Sequence, residues 1–287
     1  MNTTGTDGWH LLVSEDHGYA TKINWGDDST TVGWRCFDMV PYADRVAATS
    51  QTNDLAEFYA ATQCGKLFVR RILPYGQNVA WSHWTPFSLP TSRSFALDVA
   101  ASMARSGTNY VFVIDRGRVF QRHRLGPDAA FSDWKEVVAP KTQLLAAGLR
   151  ADGRQQVFVV DYERQPWSCV QVSPEPGADF ETCVDFASAD VPPLVHITAP
   201  YRVLDGSPVF ALDIDGTLWA RFQNASGVFG AWQSFQQDAP GPFSSIAGAH
   251  AANSFNDLLR IAAITRSGSV YMKTRRGGVW GPWELLP

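Results

Sequence analysis

A three-point motif that returns six times, four strand-like runs per repeat and the lack of any helical period predict an all-β chain. The fold they indicate is a six-bladed β-propeller. In the motif an apolar or small residue is followed three positions later by Trp, and three later by another apolar residue. It reads Thr31-Trp34-Phe37, Trp81-Trp84-Phe87, Phe131-Trp134-Val137, Phe180-Cys183-Phe186, Phe229-Trp232-Phe235 and Trp280-Trp283-Leu286. Successive centres lie 50, 50, 49, 49 and 51 residues apart. The repeats therefore run approximately over 1–42, 43–92, 93–141, 142–190, 191–240 and 241–287, within a single domain.

Each repeat is expected to hold about four antiparallel strands. The first is apolar and rich in small residues, as in Val99-Ala100-Ala101 and Leu145-Ala146-Ala147. The second carries β-branched and aromatic residues, as in Tyr110-Val111-Phe112-Val113-Ile114. A turn with Asp and Gly follows, such as Asp115-Arg116-Gly117. The third strand alternates apolar, aromatic and basic residues, as in Leu218-Trp219-Ala220-Arg221, and the Trp strand is fourth. Little precedes Trp9-His10-Leu11-Leu12, so the first repeat should lack its first strand. A ring closed by mixing strands from the two chain ends is the expected remedy. A linear β-solenoid is the runner-up, but it would show shorter and more uniform repeats.

Facing residues of an antiparallel hairpin have position numbers of constant sum. Pairing the basic column with the Trp column gives Arg70/Trp84, Arg122/Trp134, Arg221/Trp232 and Lys273/Trp283. Every pair is centred on turn chemistry, such as Gly126-Pro127-Asp128 or Arg276-Gly277-Gly278. These are expected to be cross-strand neighbours with the cation over the indole face. In the fourth repeat Cys169 and Cys183 replace both members together. Facing strand positions are close enough to be bridged, so a Cys169–Cys183 disulfide is expected, two reduced thiols being the alternative. Cys36 and Cys64 are left without an assigned pairing.

A chain of 287 residues, 45% hydrophobic, can bury a substantial core. Its net charge of −4 and the lack of a recurring Lys/Arg cluster exclude nucleic acid as a partner. No apolar run approaches the length of a membrane span. Met1-Asn2-Thr3-Thr4-Gly5 has neither a basic region nor an apolar core, so no signal peptide is expected in this numbering. Four Cys and the sequons Asn2-Thr3-Thr4 and Asn224-Ala225-Ser226 still favour a secreted or extracellular protein over a cytoplasmic one.

The stretches Asp215-Gly216-Thr217-Leu218-Trp219-Ala220-Arg221-Phe222-Gln223 and Trp280-Gly281-Pro282-Trp283-Glu284-Leu285-Leu286 resemble the repeats of bacterial propeller lectins of the Photorhabdus type. The resemblance spans the whole chain through short motifs, and implies sugar binding. That family has seven near-identical blades, against six divergent repeats here. In blade number the chain is similar to the six-bladed fungal fucose lectins, which hold fucose with an Arg on strand two, a Glu on strand three and a nearby Trp. Arg260 alone fits the Arg column. The Glu column reads Val69, Gln121, Ser168, Ala220 and Met272, with no carboxylate, so the resemblance does not extend to that triad.

For a lectin-like reading the candidate ligand residues are Trp219, Arg221, Trp232, Arg260, Tyr271, Lys273 and Trp283, since pyranose CH faces stack on aromatic rings while cations bind hydroxyls. A residue repeated in every blade is first a requirement of the blade, so packing competes with that role. Residues that break the repeat suggest an alternative. His196 stands where other first strands have Ala47, Ala100, Ala146 and Ala247, and would point into a central channel. With His250, Asp98, Tyr201 and Arg202 it could furnish an axial pocket for acid–base work.

Asp115, Asp161 and Asp213 share one turn column and are read as turn caps, calcium being a minor alternative. No nucleophile elbow, phosphate loop or zinc spacing occurs, so no cofactor or metal is expected. The leading function is a carbohydrate-binding module, not an enzyme. The alternative is a cyclase, isomerase or pericyclase working on a small apolar molecule in one axial pocket. Oligomeric state is left open.

Overall fold

A computed structural model describes residues 9–15, 18–24, 31–36, 43–50, 56–75, 78–188, 191–200, 208–224, 226–236, 238–253 and 256–286, with side chains described for 43–49, 57–71, 82–249 and 259–286 of these. Among the described residues there is no helix, and every strand pairing is antiparallel.

Six sheets follow one another along the chain. The first has three strands, β1 (Trp9–Glu15), β2 (Gly18–Asn24) and β3 (Thr31–Cys36). The second runs β4 (Ala43–Ser50), β5 (Ala56–Thr62), β6 (Leu67–Tyr75), β7 (Asn78–Trp81), with β8 (Thr85–Phe87) also on β6. The third comprises β9 (Ala96–Met103), β10 (Asn109–Asp115), β11 (Arg118–Arg124) and β12 (Lys135–Val137). In the fourth are β13 (Thr142–Leu149), β14 (Gln155–Asp161), β15 (Pro166–Val170) and β16 (Val184–Asp185). The fifth holds β17 (Leu194–Thr198), β18 (Val209–Asp213), β19 (Leu218–Arg221) and β20 (Gln233–Ser234). The sixth holds β21 (Phe243–Asn253), β22 (Asn256–Thr265), β23 (Val270–Arg276) and β24 (Val279–Leu285).

The architecture is a β-propeller with four-stranded blades. Five sheets follow the four-strand path, one fewer than the six blades the repeats predict, because the first sheet stops at three strands. The expected mixing of chain ends is not found among the described residues. Residues 243–285 supply all four strands of the sixth sheet.

Burial explains the sequence of the second strands. Every residue of β10, and likewise of β14 and β18, is buried, so the middle of each strand is apolar on both faces instead of alternating, with polar residues only at the ends. Val157 and Val159 pack with Phe112 and Ile114 of the third sheet, while Phe158 and Val160 pack with Val209 and Ala211 of the fifth. The core is thus a series of layers between consecutive sheets. Burying one such Phe stabilises the fold by about 2–3 kcal/mol. The first strands run along the inside, β4 beside β9, β9 beside β13, β13 beside β17 and β17 beside β21.

The outermost strands β8, β12, β16 and β20 are only two or three residues long and begin just after the Trp or Cys. Short edge strands leave little unpaired backbone for another chain to join. Asp213 accepts amide hydrogens from Asp215 and Thr217, each at 2.9 Å, and the Trp219 indole N–H at 2.9 Å. Asp161 repeats this with Gln165 at 2.8 Å and Trp167 at 2.8 Å, so these two cap their turns as read, whereas Asp115 accepts from Ser94 Oγ at 2.6 Å and Phe95 N at 2.8 Å, outside its own turn. Finally, Cys169 and Cys183 are bridged, their Cα atoms 4.2 Å apart.

Candidate functional site

The basic and Trp columns meet where one sheet packs on the preceding one. The ladder places Lys273 opposite Trp283. Gln121 opposite Lys135 and Ala220 opposite Gln233 bring Arg122 to Trp134 and Arg221 to Trp232 one step further on.

Between the second and third sheets the Arg122 guanidinium lies 5.0 Å over Phe87, 5.0 Å over Phe131 and 5.2 Å over Trp134. It donates to Ser88 Oγ at 2.6 Å, and the Trp134 indole N–H donates to the Ser88 carbonyl at 2.9 Å. Between the fourth and fifth sheets Arg221 donates to the Phe186 carbonyl at 2.8 Å and the Gly230 carbonyl at 2.6 Å. Its guanidinium sits 4.3 Å over the Phe186 ring, not over Trp232 as expected. The reason is that Trp232, 6% exposed, sinks between the sheets and donates its own N–H to the Phe186 carbonyl at 2.9 Å. Burial pulls both guanidinium pKa values down, with Asp133 and Asp185 respectively opposing it. Both groups stay charged at neutral pH.

Between the fifth and sixth sheets the Lys273 ammonium lies 5.6 Å over Trp283 and 5.8 Å over Phe235. Tyr271 is the preceding residue on the same face of β23, and lines a cleft of about 250 Å³ with Pro240, Pro242, Thr265 and Arg266. Arg260 pairs with Thr274, which places it on the opposite face from Lys273. Trp219 is half-buried and held by its turn Asp.

A second set of side chains is assembled by β-bulges. In each four-stranded sheet the innermost strand is bulged, and the residue that resumes the ladder is Arg45, Asp98, Leu144, His196 or Ser245. His196 therefore belongs to this column and not to the Ala column, where Thr198 stands, opposite Phe210 as Ala100 is opposite Phe112. Every innermost strand carries the same bulge, so the misassignment came from matching Val195-His196-Ile197 to the Ala runs of the other repeats. The His196 Nε2 lies 3.3 Å from Ser245 Oγ on the next innermost strand.

Asp98 accepts from Val99 N at 2.8 Å and from Leu145 N, also on the next strand, at 2.9 Å. Burial pushes its carboxyl up to about 6, against the attraction of Arg45. Burial takes His196 down to about 4, helped by the same Arg45, so the imidazole is neutral at pH 7. Tyr201, Arg202 and the side chain of His250 lie outside the described residues.

One group escaped the sequence reading. Glu57, fully buried, is paired with Arg124 at 2.5 Å and Arg71 at 2.5 Å, and accepts from Tyr59 OH at 2.9 Å and Asn109 Nδ2 at 3.3 Å. The available signal was a carboxylate inside the apolar run Ala56-Glu57-Phe58-Tyr59-Ala60.

No family model matches the sequence, and no curated protein is found similar to it. Solved structures do share its fold. AofleA from Arthrobotrys oligospora is 12% identical, with TM-score 0.69, over 94% of this chain and 80% of that one. The BP39L lectin from Burkholderia pseudomallei is 17% identical, with TM-score 0.69, over 98% of this chain and 81% of that one. A fungal lectin from Aleuria aurantia, with a six-bladed β-propeller fold and a novel fucose recognition mode, is 14% identical, with TM-score 0.63, over 98% and 90%. Identities this low carry the fold alone, and that fold is the one seen in these lectin β-propellers.

Proposed function

We propose that this chain is a lectin-like propeller that binds carbohydrate at the interfaces between blades. The observation that carries the reading is Arg122 set over the half-buried rings of Phe87, Phe131 and Trp134, with related cation–aromatic groups at Arg221 and Lys273. Aromatic faces take the CH side of a pyranose, and fixed cations take its hydroxyls. Structural neighbours add support, since SapL1 and the Aleuria aurantia lectin were solved with α-methyl fucosides.

Fucose held by an Arg/Glu/Trp triad is not part of the proposal. The strand-three column has no carboxylate, and its Gln121 and Ser168 are buried and hydrogen-bonded to Ala178 O and Gln156. On this reading the chain is one domain of Photorhabdus-like repeats whose three-stranded first sheet completes six blades. Trp219, Arg221, Arg260, Tyr271, Lys273 and Trp283 line sugar sites, and Trp232 forms a wall behind them. Secretion fits the Cys169–Cys183 bridge, since such bonds persist in oxidising compartments. Nothing in the geometry favours the enzyme alternative.

A glycan array tests the proposal. Retention on a defined subset of glycans is expected, and a blank array with correctly folded protein overturns it.

A further inference from the structure

The interface between the fifth and sixth sheets differs from its counterparts in one respect. Between the second and third sheets, and again between the fourth and fifth, both the cation and the indole N–H find oxygens at the interface. Arg122 and Trp134 share Ser88, and Arg221 and Trp232 share the Phe186 carbonyl. Lys273 and Trp283 do neither. Lys273 is 7% exposed, and its ammonium meets rings only, with no hydrogen bond or ion pair among the described residues. The Trp283 Nε1–H is buried with no acceptor.

Two unanswered donors on facing residues define what would complete them. A buried N–H without an acceptor is costly, and an ammonium that meets only rings gains from a counter-charge. The rings under the ammonium are those of Phe235 and Trp283, and no carboxylate pairs with it among the described residues. Glu284 pairs with Met272 and so belongs to the other face of the sheet. A neutral hydroxyl would answer one donor but bring a proton that needs an acceptor. A carboxylate is acceptor-only and carries the missing charge. The adjoining cleft points the same way. It begins at Tyr271, about 7 Å along the strand from Lys273, and its lining includes Arg266 and no acidic residue.

We infer that the interface between the fifth and sixth sheets is a site for a carboxylate-bearing sugar, a uronic or sialic acid, with the carboxylate on Lys273 and Trp283 and the ring in the cleft against Tyr271. This rests on the carbohydrate-binding reading and narrows it. One interface of the propeller selects acidic glycans, while the arginine interfaces do not.

The test uses one array of uronic and sialic acid glycans, printed as free acids and as methyl esters, beside a neutral set. The native chain should bind the free acids and lose at least tenfold in affinity on esterification, a comparison that needs no variant. Lys273→Met, checked for its melting temperature, should lose the acidic glycans at least tenfold, and Lys273→Arg should restore most of the loss. Equal binding of acids and esters overturns the inference and leaves the carbohydrate reading standing. Binding to neither array overturns both.

Discussion

Asp98 and His196 occupy equivalent positions on innermost strands two blades apart, each just after a β-bulge and each turned to the next innermost strand. They are displaced in opposite directions, the carboxyl up to about 6 and the imidazole down to about 4, chiefly by burial and with Arg45 acting on both. Folding thus favours the neutral form of each.

A pH experiment separates them. Because folding raises Asp98 from 3.8, its stabilising contribution is full below that value and is lost as pH rises through about 6. His196 is lowered from 6.5, so its contribution is full above 6.5 and is lost as pH falls towards about 4. Each is worth about 3 kcal/mol, and over this window they oppose one another. Relative to the native chain, His196→Gln should gain about 2–3 kcal/mol between pH 7 and 4.5, and Asp98→Asn should lose as much. Urea unfolding at a series of pH values reads this directly, and three parallel stability curves would contradict it.

Arg45 is expected to couple the pair. Arg45→Met should raise the pKa of both Asp98 and His196, followed by NMR titration of the two side chains, because its charge lowers both. A shift in only one of them would detach Arg45 from the other.

The disulfide closes a loop of sequence separation 14, for which chain entropy gives a stabilisation of about 3 kcal/mol. Non-reducing peptide maps should link Cys169 to Cys183, and replacing both with Ser should lower unfolding free energy by that order. The exposed Cys64 should react with a thiol reagent in the folded protein.

Glu57 is expected to be among the most sensitive positions in the chain. Glu57→Ala leaves Arg124 buried without its partner and should cost about 3–5 kcal/mol. Chemical denaturation checks it, and a change below about 1 kcal/mol would show that water or rearrangement answers Arg124.

Much of this was readable in the sequence, for reasons that also mark the limits. The strand-three register depends only on a constant sum about a turn, which is why Lys273/Trp283 and Cys169/Cys183 could be paired from numbers alone. His196 was misplaced by two positions because the run Val195-His196-Ile197 was matched to the small-residue runs, whereas the ladder sets Thr198 in that column. The three-stranded first sheet agrees with a first repeat expected to lack a strand, while the mixing of chain ends expected to close the ring is not found among the described residues. Arg221 was expected over Trp232, because cross-strand pairing says nothing about the preceding sheet, and Phe186 lies there. Glu57 and Arg124 were missed because a charge on a strand reads as solvent-facing until the neighbouring sheet covers it.

The most direct measurement compares affinity for the strongest glycan ligand, by calorimetry, among the native chain, Arg122→Gln, Lys273→Gln and His196→Gln, each shown to be folded. Binding between blades predicts that at least one of the two interface variants loses tenfold or more, while His196→Gln stays within about twofold, because His196 belongs to the inner column. Unchanged affinity in both interface variants, with the loss falling on His196→Gln, would contradict it.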